Sequence, residues 1–171
     1  MNLNNSVKNK VVLVVGGAGF IGSHIVDRAM ELGAEKVMSF DNFSGVISDN
    51  LVHLKGNPGF VSVKGDLRNF EEVRKAIDGV DLILNQATSK LVTSIKDPMA
   101  DVMTNTVGNM NLLEAMRKSG SSARIVHAST GSVFGDAQVP YNDAVSVKEP
   151  TTIYGANKLA AEHYHLYFAK E

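Results

Sequence analysis

The sequence contains no cysteine, which excludes disulfides and thiolate chemistry and is consistent with a reducing cytoplasm. It also lacks a basic excess, because 17 Lys and Arg are balanced by 18 Asp and Glu for a net charge of −1, and this argues against a nucleic acid partner. No apolar run approaches the roughly 18 residues that a membrane helix requires. Residues 1–10 are polar and contain no signal-peptide core. We therefore expect a cytoplasmic protein with neither a membrane nor a nucleic acid partner.

The composition, with 44% apolar and 20% charged residues over 171 positions, predicts one globular domain. Short apolar runs alternate along the chain with segments of helical periodicity. Strands are predicted at 11–15, 36–40, 60–64, 81–85 and 124–128, and helices at 20–32, 71–77, 98–119 and from about 151 onward. This alternation requires right-handed crossovers, so we expect an α/β fold with a doubly wound parallel sheet and helices on both faces.

The first strand runs directly into three glycines spaced three residues apart, Gly16, Gly19 and Gly22. The first would allow a sharp turn, the second a close approach to a diphosphate, and the third close packing of the next helix on the strand. The N-terminus of that helix would add free N–H groups and a partial positive charge. The pattern is typical of a dinucleotide site, although a tight strand-to-helix turn of another α/β protein would also need glycine.

Polar residues follow several other predicted strands. Asp41 ends the second strand, nineteen residues after Gly22, where a dinucleotide site places a carboxylate for the ribose hydroxyls of adenosine. The alternative interpretation of Asp41 is an ordinary strand-end cap. Asp66, Asn85 and Thr130 follow the third, fourth and fifth strands. Because the carboxyl ends of parallel strands meet at one edge of a sheet, these residues predict a ligand site at that edge.

Tyr154 and Lys158 are four residues apart, and therefore share one face of the last predicted helix. A nearby cation favours the phenolate, which makes Tyr154 a candidate general acid–base, and Lys158 could also bond ribose hydroxyls. The hydroxyl of Thr130 could bond both a substrate alcohol and the Tyr154 oxygen. The alternatives are an ordinary Tyr/Lys pair on a solvated face and a capping threonine, with Ser129 and Ser132 as competing hydroxyls.

Several motifs act together to suggest a family. They are GGAGFIG at 16–22, Asp41-Asn42, Gly65-Asp66-Leu67, Asp97-Pro98, NTVG at 105–108, NLLEA at 111–115, STGSVFG at 129–135, Glu149-Pro150 and YGANK at 154–158. With these motifs the chain from Lys10 onward resembles the extended short-chain dehydrogenase/reductases, in particular the NAD-dependent nucleotide-sugar epimerase/dehydratase branch of the UDP-glucose 4-epimerase type. The resemblance implies a Rossmann-type fold with NAD as cofactor.

The resemblance also implies a role for individual positions. Phe20 and Ile21 would line the diphosphate turn with the three glycines. The adenosine ribose would be held by Asp41 and Asn42, and the adenine would be flanked by Asp66 and Leu67. The nicotinamide would be bordered by Gln86, Ala87 and Lys90, and the cofactor would also contact Asn105. Thr130, Tyr154 and Lys158 match the catalytic residues, the last two also contacting the cofactor. An acidic Asp41 without a neighbouring arginine favours NAD over NADP.

The chain departs from the family pattern in three respects. The fourth strand ends in Asn-Gln-Ala-Thr at 85–88 instead of the commoner His-Xaa-Ala-Ala, and Phe134 replaces a commoner tyrosine. Members are usually much longer, with a C-terminal lobe that binds the nucleotide sugar. Residues 1–171 are therefore expected to be an NAD-binding Rossmann domain that lacks this lobe, either as a fragment of a longer enzyme or as a truncated reading frame.

The reaction that the resemblance implies is a transient oxidation, in which Tyr154 takes a proton from a sugar hydroxyl while a hydride passes to the nicotinamide. Dehydratases of the branch carry an Asp-Glu pair after the catalytic threonine and decarboxylases a nearby glutamate, whereas this chain has Gly131 and Ser132. A 4-epimerase acting on a UDP-sugar is therefore favoured. A dehydratase, decarboxylase or reductase of the same family, or a non-catalytic NAD-binding sensor, are the alternatives.

Oligomerisation and metal binding complete the expectations. Helices at 98–119 and 151–170 match those that form a four-helix homodimer contact in the family, although the methionines of the first, Met99, Met103, Met110 and Met116, are mostly expected in the core. The five histidines show no metal-ligand spacing, so no metal site is predicted. His127, inside a strand, is interpreted as a hydrogen-bonded core residue.

Overall fold

The protein is described by a computed structural model that covers residues 4–46, 49–136 and 147–170. Its sheet has five strands in the order β3-β2-β1-β4-β5, and every neighbouring pair is parallel. The strands are β1 (Val11–Val15), β2 (Lys36–Asp41), β3 (Phe60–Lys64), β4 (Leu82–Asn85) and β5 (Arg124–His127). The predicted doubly wound parallel fold is confirmed, and the predicted strand bounds differ from these by at most one residue.

Helices fill the connections between the strands. They are α1 (Asn4–Val7), α2 (Phe20–Glu31), α3 (Phe70–Ala76), α4 (Leu91–Lys96), α5 (Pro98–Asp101), a π-helical segment (Val102–Val107), α6 (Gly108–Ser119) and α7 (Ile153–Phe168). Short 3₁₀ turns occur at Val52–Leu54 and Gly131–Phe134. Within the described ranges, no helix is both long and apolar enough to cross a bilayer.

The alternating side chains of β1 explain why helices cover both faces of the sheet. Leu13 and Val15 enter one apolar cluster together with residues of α3 and α6. Val12 and Val14 enter a second cluster with residues of α2 on the opposite face. Because a strand directs successive side chains to opposite faces, an entirely apolar β1 must be buried on both sides.

The strand order places a crevice between β1 and β4. From β1 the chain first adds β2 and β3 on one side, then returns to add β4 and β5 on the other. The connections that leave the carboxyl ends of β1 and β4 therefore diverge, and a parallel α/β sheet binds its ligands at such a point. Gly16 follows β1 and Gln86 follows β4, so both lie at this crevice.

The region between β4 and α6 differs from the sequence prediction. The predicted helix 98–119 contains a π segment over Val102–Val107, and α4 before it was not predicted. The start is as expected, because Pro98 occupies the first turn and the Asp97 carboxylate accepts the N–H of Ala100. A π segment adds residues to a turn and shifts later positions relative to the 3.6-residue period, so a periodicity argument cannot detect it. α1, which is polar and short, was also not predicted.

Candidate active site

The glycine turn after β1 is closely packed. Gly16 has a φ of +78°, and a Cβ at this position would lie 2.7 Å from the backbone nitrogen of Ala87. A Cβ on Gly22 would lie 2.1 Å from the carbonyl oxygen of Gly16. Gly19 is the N-cap of α2, which has neither a capping side chain nor an acidic residue in its first turn. Within the described residues no side chain is recorded as accepting from the first N–H groups of α2, and these groups suit an anion such as a diphosphate.

Phe20 and Ile21 form the start of α2 beside this turn. Their side chains are 76% and 62% exposed, although both are large and apolar. The ring of Phe20 packs edge-on against His24, with 5.0 Å between the ring centroids. Both residues are thus surface residues at the turn, as the prediction requires, and their apolar surface is not covered by the described part of the chain.

Asp41 connects the glycine turn to the end of β2. Its Oδ2 accepts a hydrogen bond from the backbone nitrogen of Ala18 at 3.0 Å, and its Oδ1 accepts one from Phe43 at 2.7 Å. The carboxylate therefore caps local backbone, which was the alternative interpretation of this residue. A carboxylate offers about four lone-pair sites, so these two bonds leave acceptor capacity for a ribose hydroxyl.

Asp66, at the end of β3, belongs to a small ionic cluster. Arg68 donates to both carboxylate oxygens of Asp66, from Nε at 2.9 Å and from Nη2 at 2.6 Å, and Asn42 donates to Oδ2 at 3.0 Å. The hydrogen bonds from Arg68, opposed in part by burial, lower the pKa of Asp66 to about 2. The sequence predicted Asp66 and Asn42 at this edge of the sheet, but it did not predict the hydrogen bonds from Arg68 to Asp66.

The Asp66–Arg68 pair predicts a pH dependence of stability. Because the folded-state pKa of Asp66 lies below its ordinary 3.8, the pair stabilises the protein fully only well above pH 4, and this contribution is lost as the pH falls through 2. We expect Arg68→Gln to lower the free energy of unfolding at pH 7 by up to about 1 kcal/mol, since the pair is partly exposed. The difference from wild type should shrink between pH 4 and pH 2, as measured by urea denaturation. A difference that persists at pH 2 would contradict this account.

Leu67, predicted to flank the adenine, directs its side chain into the core. Its side chain is 5% exposed and lies in the apolar cluster under α3 and α6, where a Cβ on Gly108 would be 3.0 Å from its Cδ2. Its carbonyl oxygen accepts a hydrogen bond from Nδ2 of Asn111 at 3.1 Å. The side chain therefore packs in the core, and the place of Leu67 beside an adenine stays a prediction that would rest on its backbone.

Gln86, Ala87 and Lys90, which are predicted to border the nicotinamide, follow β4 at the crevice. The backbone nitrogen of Gln86 donates to Val15 at 2.8 Å, which continues the pairing of β4 with β1 by one residue. The backbone of Ala87 lies directly against Gly16. The Lys90 side chain extends toward the loop after β2, with its Nζ 4.0 Å from where a Cβ on Gly45 would be. These residues thus form the β4 side of the crevice.

Asn105, predicted to contact the cofactor, lies in the π segment and is buried. Its side chain is 0% exposed, donates from Nδ2 to Oδ1 of Asp101 at 2.7 Å, and accepts from Thr88 and Ser89 at 3.0 and 3.1 Å. The contact with the cofactor that the resemblance implies for Asn105 stays a prediction. The side chain holds the loop after β4, and the π segment brings it into that position.

The predicted catalytic residues lie near one another but are not joined as expected. Thr130 caps the 3₁₀ turn, because its Oγ1 accepts from the backbone nitrogen of Ser132 at 3.2 Å and contacts the Ser132 hydroxyl at 3.3 Å. Tyr154, in the first turn of α7, is half-buried, and its hydroxyl makes no hydrogen bond to any described residue. The predicted Thr130–Tyr154–Lys158 network is therefore not formed, and the Tyr154 hydroxyl is left without a partner among these residues.

Lys158 is 2% exposed and directed at the end of β5. Its Nζ donates to the carbonyl oxygen of Ala128 at 2.6 Å and lies 3.3 Å from Nε2 of His127. Burial lowers the pKa of Lys158 to about 8, while the charges of Glu162 and Asp101 act in the opposite direction. The contacts predicted for it, with a phenol and a ribose, are not among these bonds.

Sequence reasoning missed a buried polar cluster around Lys158. His127 contacts Lys158 through one ring nitrogen and Asn85 through the other, and its ring stacks on that of His165 with 4.5 Å between centroids. Burial lowers the pKa of His127 to about 3 and that of His165 to about 4, so both rings are neutral near pH 7. The sequence contained two signals, His127 inside a predicted strand and the i, i+4 spacing of Asn105 and Asn109, both of which are buried.

Ser129 and Glu162 form a second missed contact. The Ser129 hydroxyl donates to a carboxylate oxygen of Glu162, whose other oxygen pairs with Nζ of Lys148 at 2.8 Å. This competing hydroxyl is thereby engaged away from Tyr154. Among the residues that the structure describes, no three His, Asp or Glu side chains converge as a metal ion would require.

A parallel sheet with this strand order, a glycine-rich turn after β1 and a carboxylate after β2 defines a dinucleotide-binding domain. The chain belongs to the NAD-dependent epimerase/dehydratase family, whose profile matches residues 12–171. The motif resemblance is thus confirmed, and so is NAD as the cofactor of the family.

Individual relatives point to several reactions. CDP-paratose 2-epimerase of Salmonella typhi is 33% identical over 93% of this chain and 53% of its own length. UDP-glucuronic acid decarboxylase 4 of Arabidopsis thaliana is 37% identical over 76% of this chain and 28% of its own. The structure of Thermus thermophilus UDP-glucose 4-epimerase with NAD superposes with a TM-score of 0.82 and 34% identity, over 94% of this chain and 51% of that one. The chain thus spans about half, or less, of the proteins it matches.

Proposed function

We propose that residues 1–171 form the cofactor-binding unit of an NAD-dependent nucleotide-sugar epimerase. One observation carries the proposal: Asp41 accepts a hydrogen bond from Ala18 at 3.0 Å, so the carboxylate suited to ribose hydroxyls lies against the turn suited to a diphosphate. The first turn of α2 would bind the diphosphate, Asp41 and Asn42 the adenosine ribose, and Gln86, Ala87 and Lys90 would border the nicotinamide half.

Within this proposal Tyr154 acts as the general base. When bound, NAD supplies the hydride acceptor and donor. Tyr154 lies in the first turn of α7, and in this proposal its phenol takes a proton from a sugar hydroxyl. The hydroxyl of Thr130 would orient the same sugar oxygen after turning from Ser132. Lys158, one helical turn beyond Tyr154, places a titratable amine behind the site.

The reaction we favour is 4-epimerisation of a UDP-sugar by transient oxidation. The solved 4-epimerase with NAD covers almost all of this chain. A decarboxylase is the second candidate, because a decarboxylase is among the relatives and is 37% identical. Against it, Gly131 and Ser132 after Thr130 offer no carboxylate. Glu162, whose carboxylate accepts from Ser129 after β5, also pairs with Lys148.

We also propose that the chain forms a homodimer through the segments 98–119 and 151–170. Apolar side chains on these segments support it, since Met99 is 64% exposed, Met103 37%, and Leu166 and Tyr167 60% each. Of the four methionines expected mostly in the core, Met116 packs against it, whereas Met99 and Met103 do not. Sedimentation of wild type and of a Met99→Glu, Leu166→Glu double variant would test the proposal.

Cofactor choice is the direct test of the proposed function. We expect the chain to bind NAD at least roughly tenfold more tightly than NADP in calorimetric titrations, because a 2′-phosphate would meet the Asp41 carboxylate. Asp41→Ser should weaken NAD binding and reduce the preference for NAD over NADP. The matched control is Asp78→Ser, in the turn at the opposite edge of the sheet, which should change neither. Equal binding of both dinucleotides by the wild type would overturn this assignment.

A nucleotide sugar separates an enzyme from a non-catalytic sensor. A UDP-glucose-dependent rise in reduced-nicotinamide fluorescence would support the epimerase, and a sensor would give none. For these residues alone we expect NAD binding without sustained turnover. Continuous interconversion of UDP-glucose and UDP-galactose by this chain would contradict its assignment as the cofactor-binding unit alone.

A further inference from the structure

The residues that follow β3 form a closed turn. The backbone nitrogen of Asn69 donates to the carbonyl oxygen of Asp66 at 2.9 Å, which closes a four-residue β-turn. The backbone nitrogen of Asp66 donates to Glu72 at 2.7 Å, and that of Arg68 donates to Oδ1 of Asp66 at 2.9 Å. Leu67 and Arg68 are therefore the central residues of the turn, and the orientation of the peptide between them decides which backbone groups the turn presents to a ligand.

The carboxylate of Asp66 is fully used within the protein. A carboxylate offers about four lone-pair sites. Oδ1 accepts from the backbone nitrogen and from Nε of Arg68, both at 2.9 Å, and Oδ2 accepts from Nη2 of Arg68 at 2.6 Å and from Nδ2 of Asn42 at 3.0 Å. These four donors occupy all four sites, so the groups of this turn that remain for a base are those of its backbone.

Asn111 on α6 holds that backbone from the other side. Its Nδ2 donates to the carbonyl oxygen of Leu67 at 3.1 Å and to that of Arg68 at 3.0 Å. An amide nitrogen carries two hydrogens and a carbonyl oxygen can only accept, so one side chain satisfies both carbonyls and its own orientation is determined. The Leu67 side chain packs against Gly108, three residues earlier on α6. The peptide between Leu67 and Arg68 is thus held at its carbonyl by α6 and at its N–H by Asp66.

We propose that Asn111 is a positioning residue for the adenine of NAD, which fixes the carbonyls of this turn on α6 and thereby directs the backbone N–H of Leu67 at the base. Among the residues that the structure describes, no acceptor is recorded for that N–H, whereas those of Asp66, Arg68 and Asn69 all donate within the protein. N1 of adenine is an acceptor that suits it. The inference rests on the proposed function and deepens it, since it takes up the predicted place of Leu67 beside the adenine.

The loss of Asn111 is expected to loosen the turn more than it destabilises the fold. Arg68 and Asn69 are exposed, so water can reach this part of the turn and replace the amide as a donor to its carbonyls. The Leu67 side chain stays buried under α3 and α6 and keeps the turn attached. A variant at Asn111 should therefore fold, with a turn that samples more than one peptide orientation.

This loosening can be measured on the chain without cofactor. In ¹⁵N relaxation we expect backbone order parameters near 0.85 for Leu67 and Arg68 in the wild type, and a fall toward about 0.6 in Asn111→Leu. The matched control is Asn57→Leu, at the opposite edge of the sheet, where the Asn57 side chain accepts from Gly59 at 2.9 Å. It should leave both order parameters unchanged. Unchanged values in Asn111→Leu refute the proposal.

Base discrimination tests the link to the cofactor. Calorimetric titrations compare NAD with its hypoxanthine analogue, in which N1 of the base carries a hydrogen and cannot accept. We expect the wild type to bind NAD roughly five- to tenfold more tightly than the analogue, and Asn111→Leu to reduce this preference to about twofold or less. Asn111→Ser, which keeps a single donor, should lie between them, and Asn57→Leu should match the wild type. A variant that weakens both dinucleotides equally has only a structural effect and refutes the proposal.

The two proposals fail in different ways. NAD binding by the wild type with no preference over the hypoxanthine analogue refutes the inference about Asn111 and leaves the proposed function standing, because the diphosphate and ribose contacts do not involve the base. If the wild type binds neither dinucleotide, the proposed function is refuted and the inference with it.

Discussion

Gly22→Ala is expected to abolish measurable NAD binding and to lower the free energy of unfolding by roughly 3 kcal/mol. A Cβ at this position would lie 2.1 Å from the carbonyl oxygen of Gly16 and 2.8 Å from its carbonyl carbon. These are backbone atoms of the glycine turn, so no side-chain rotation can relieve the overlap. The start of α2 would have to move away from β1, and the N–H groups proposed to bind the diphosphate would move with it.

The matched control for this prediction is Gly45→Ala. The nearest atoms to a Cβ there belong to the flexible Lys90 side chain, at 3.8 Å, and Gly45 does not have a positive φ. We expect the free energy of unfolding of this variant to lie within about 0.5 kcal/mol of that of the wild type. Urea denaturation and calorimetric titration with NAD measure both effects. Wild-type affinity in a folded Gly22→Ala variant would mean that the turn does not bind the diphosphate.

Asp101→Asn is expected to destabilise the protein by roughly 3 kcal/mol, because it replaces a buried carboxylate that accepts hydrogen bonds from two side-chain amides. Asp101 is 0% exposed and accepts from Asn105 at its Oδ1 and from Asn157 at its Oδ2, both at 2.7 Å. An asparagine has only one oxygen, so its amide nitrogen would face a second donor. The contact that joins the π segment to α7 would be weakened or lost.

Asp97→Asn provides the same chemical change four residues earlier. Asp97 is exposed and caps α5 by accepting from Ala100 at 3.0 Å, a role that asparagine performs about equally well. We expect its free energy of unfolding to remain within about 0.5 kcal/mol of wild type. Urea denaturation of both variants at pH 7 makes the comparison. Similar stabilities for the two variants would show that the Asp101 contacts do not stabilise the fold.

Much of the fold could be predicted from local patterns. β3 was predicted at its observed bounds, and the glycine turn was predicted from three residues, because both depend on backbone preferences within a few positions. Asp41 was also predicted at the correct edge, since a parallel sheet brings all carboxyl ends together. The π segment was not predicted, because its extra residues leave no recognisable change in the apolar pattern of the sequence.

The candidate site was predicted less completely, and the reasons are physical. Arg68 was missed because its contact with Asp66 depends on a side-chain rotamer that spacing does not reveal. The burial of Asn105 was not predicted, because it follows from the π segment. Lys158 was expected to face Tyr154, but a long side chain can reach in several directions, and it is directed at Ala128 instead.

By itself, the sequence determined the parallel α/β class, the glycine turn and the family, because these depend on periodicity and on residue types that must recur at short spacings. Only the tertiary structure decided which groups meet Lys158. Asn85, His127 and Lys158 lie on three elements separated by 42 and 31 residues, and the donors and acceptors between them exist only once those elements pack. Hydrogen-bond direction in a buried cluster is a property of the assembled neighbours, and no single segment carries it.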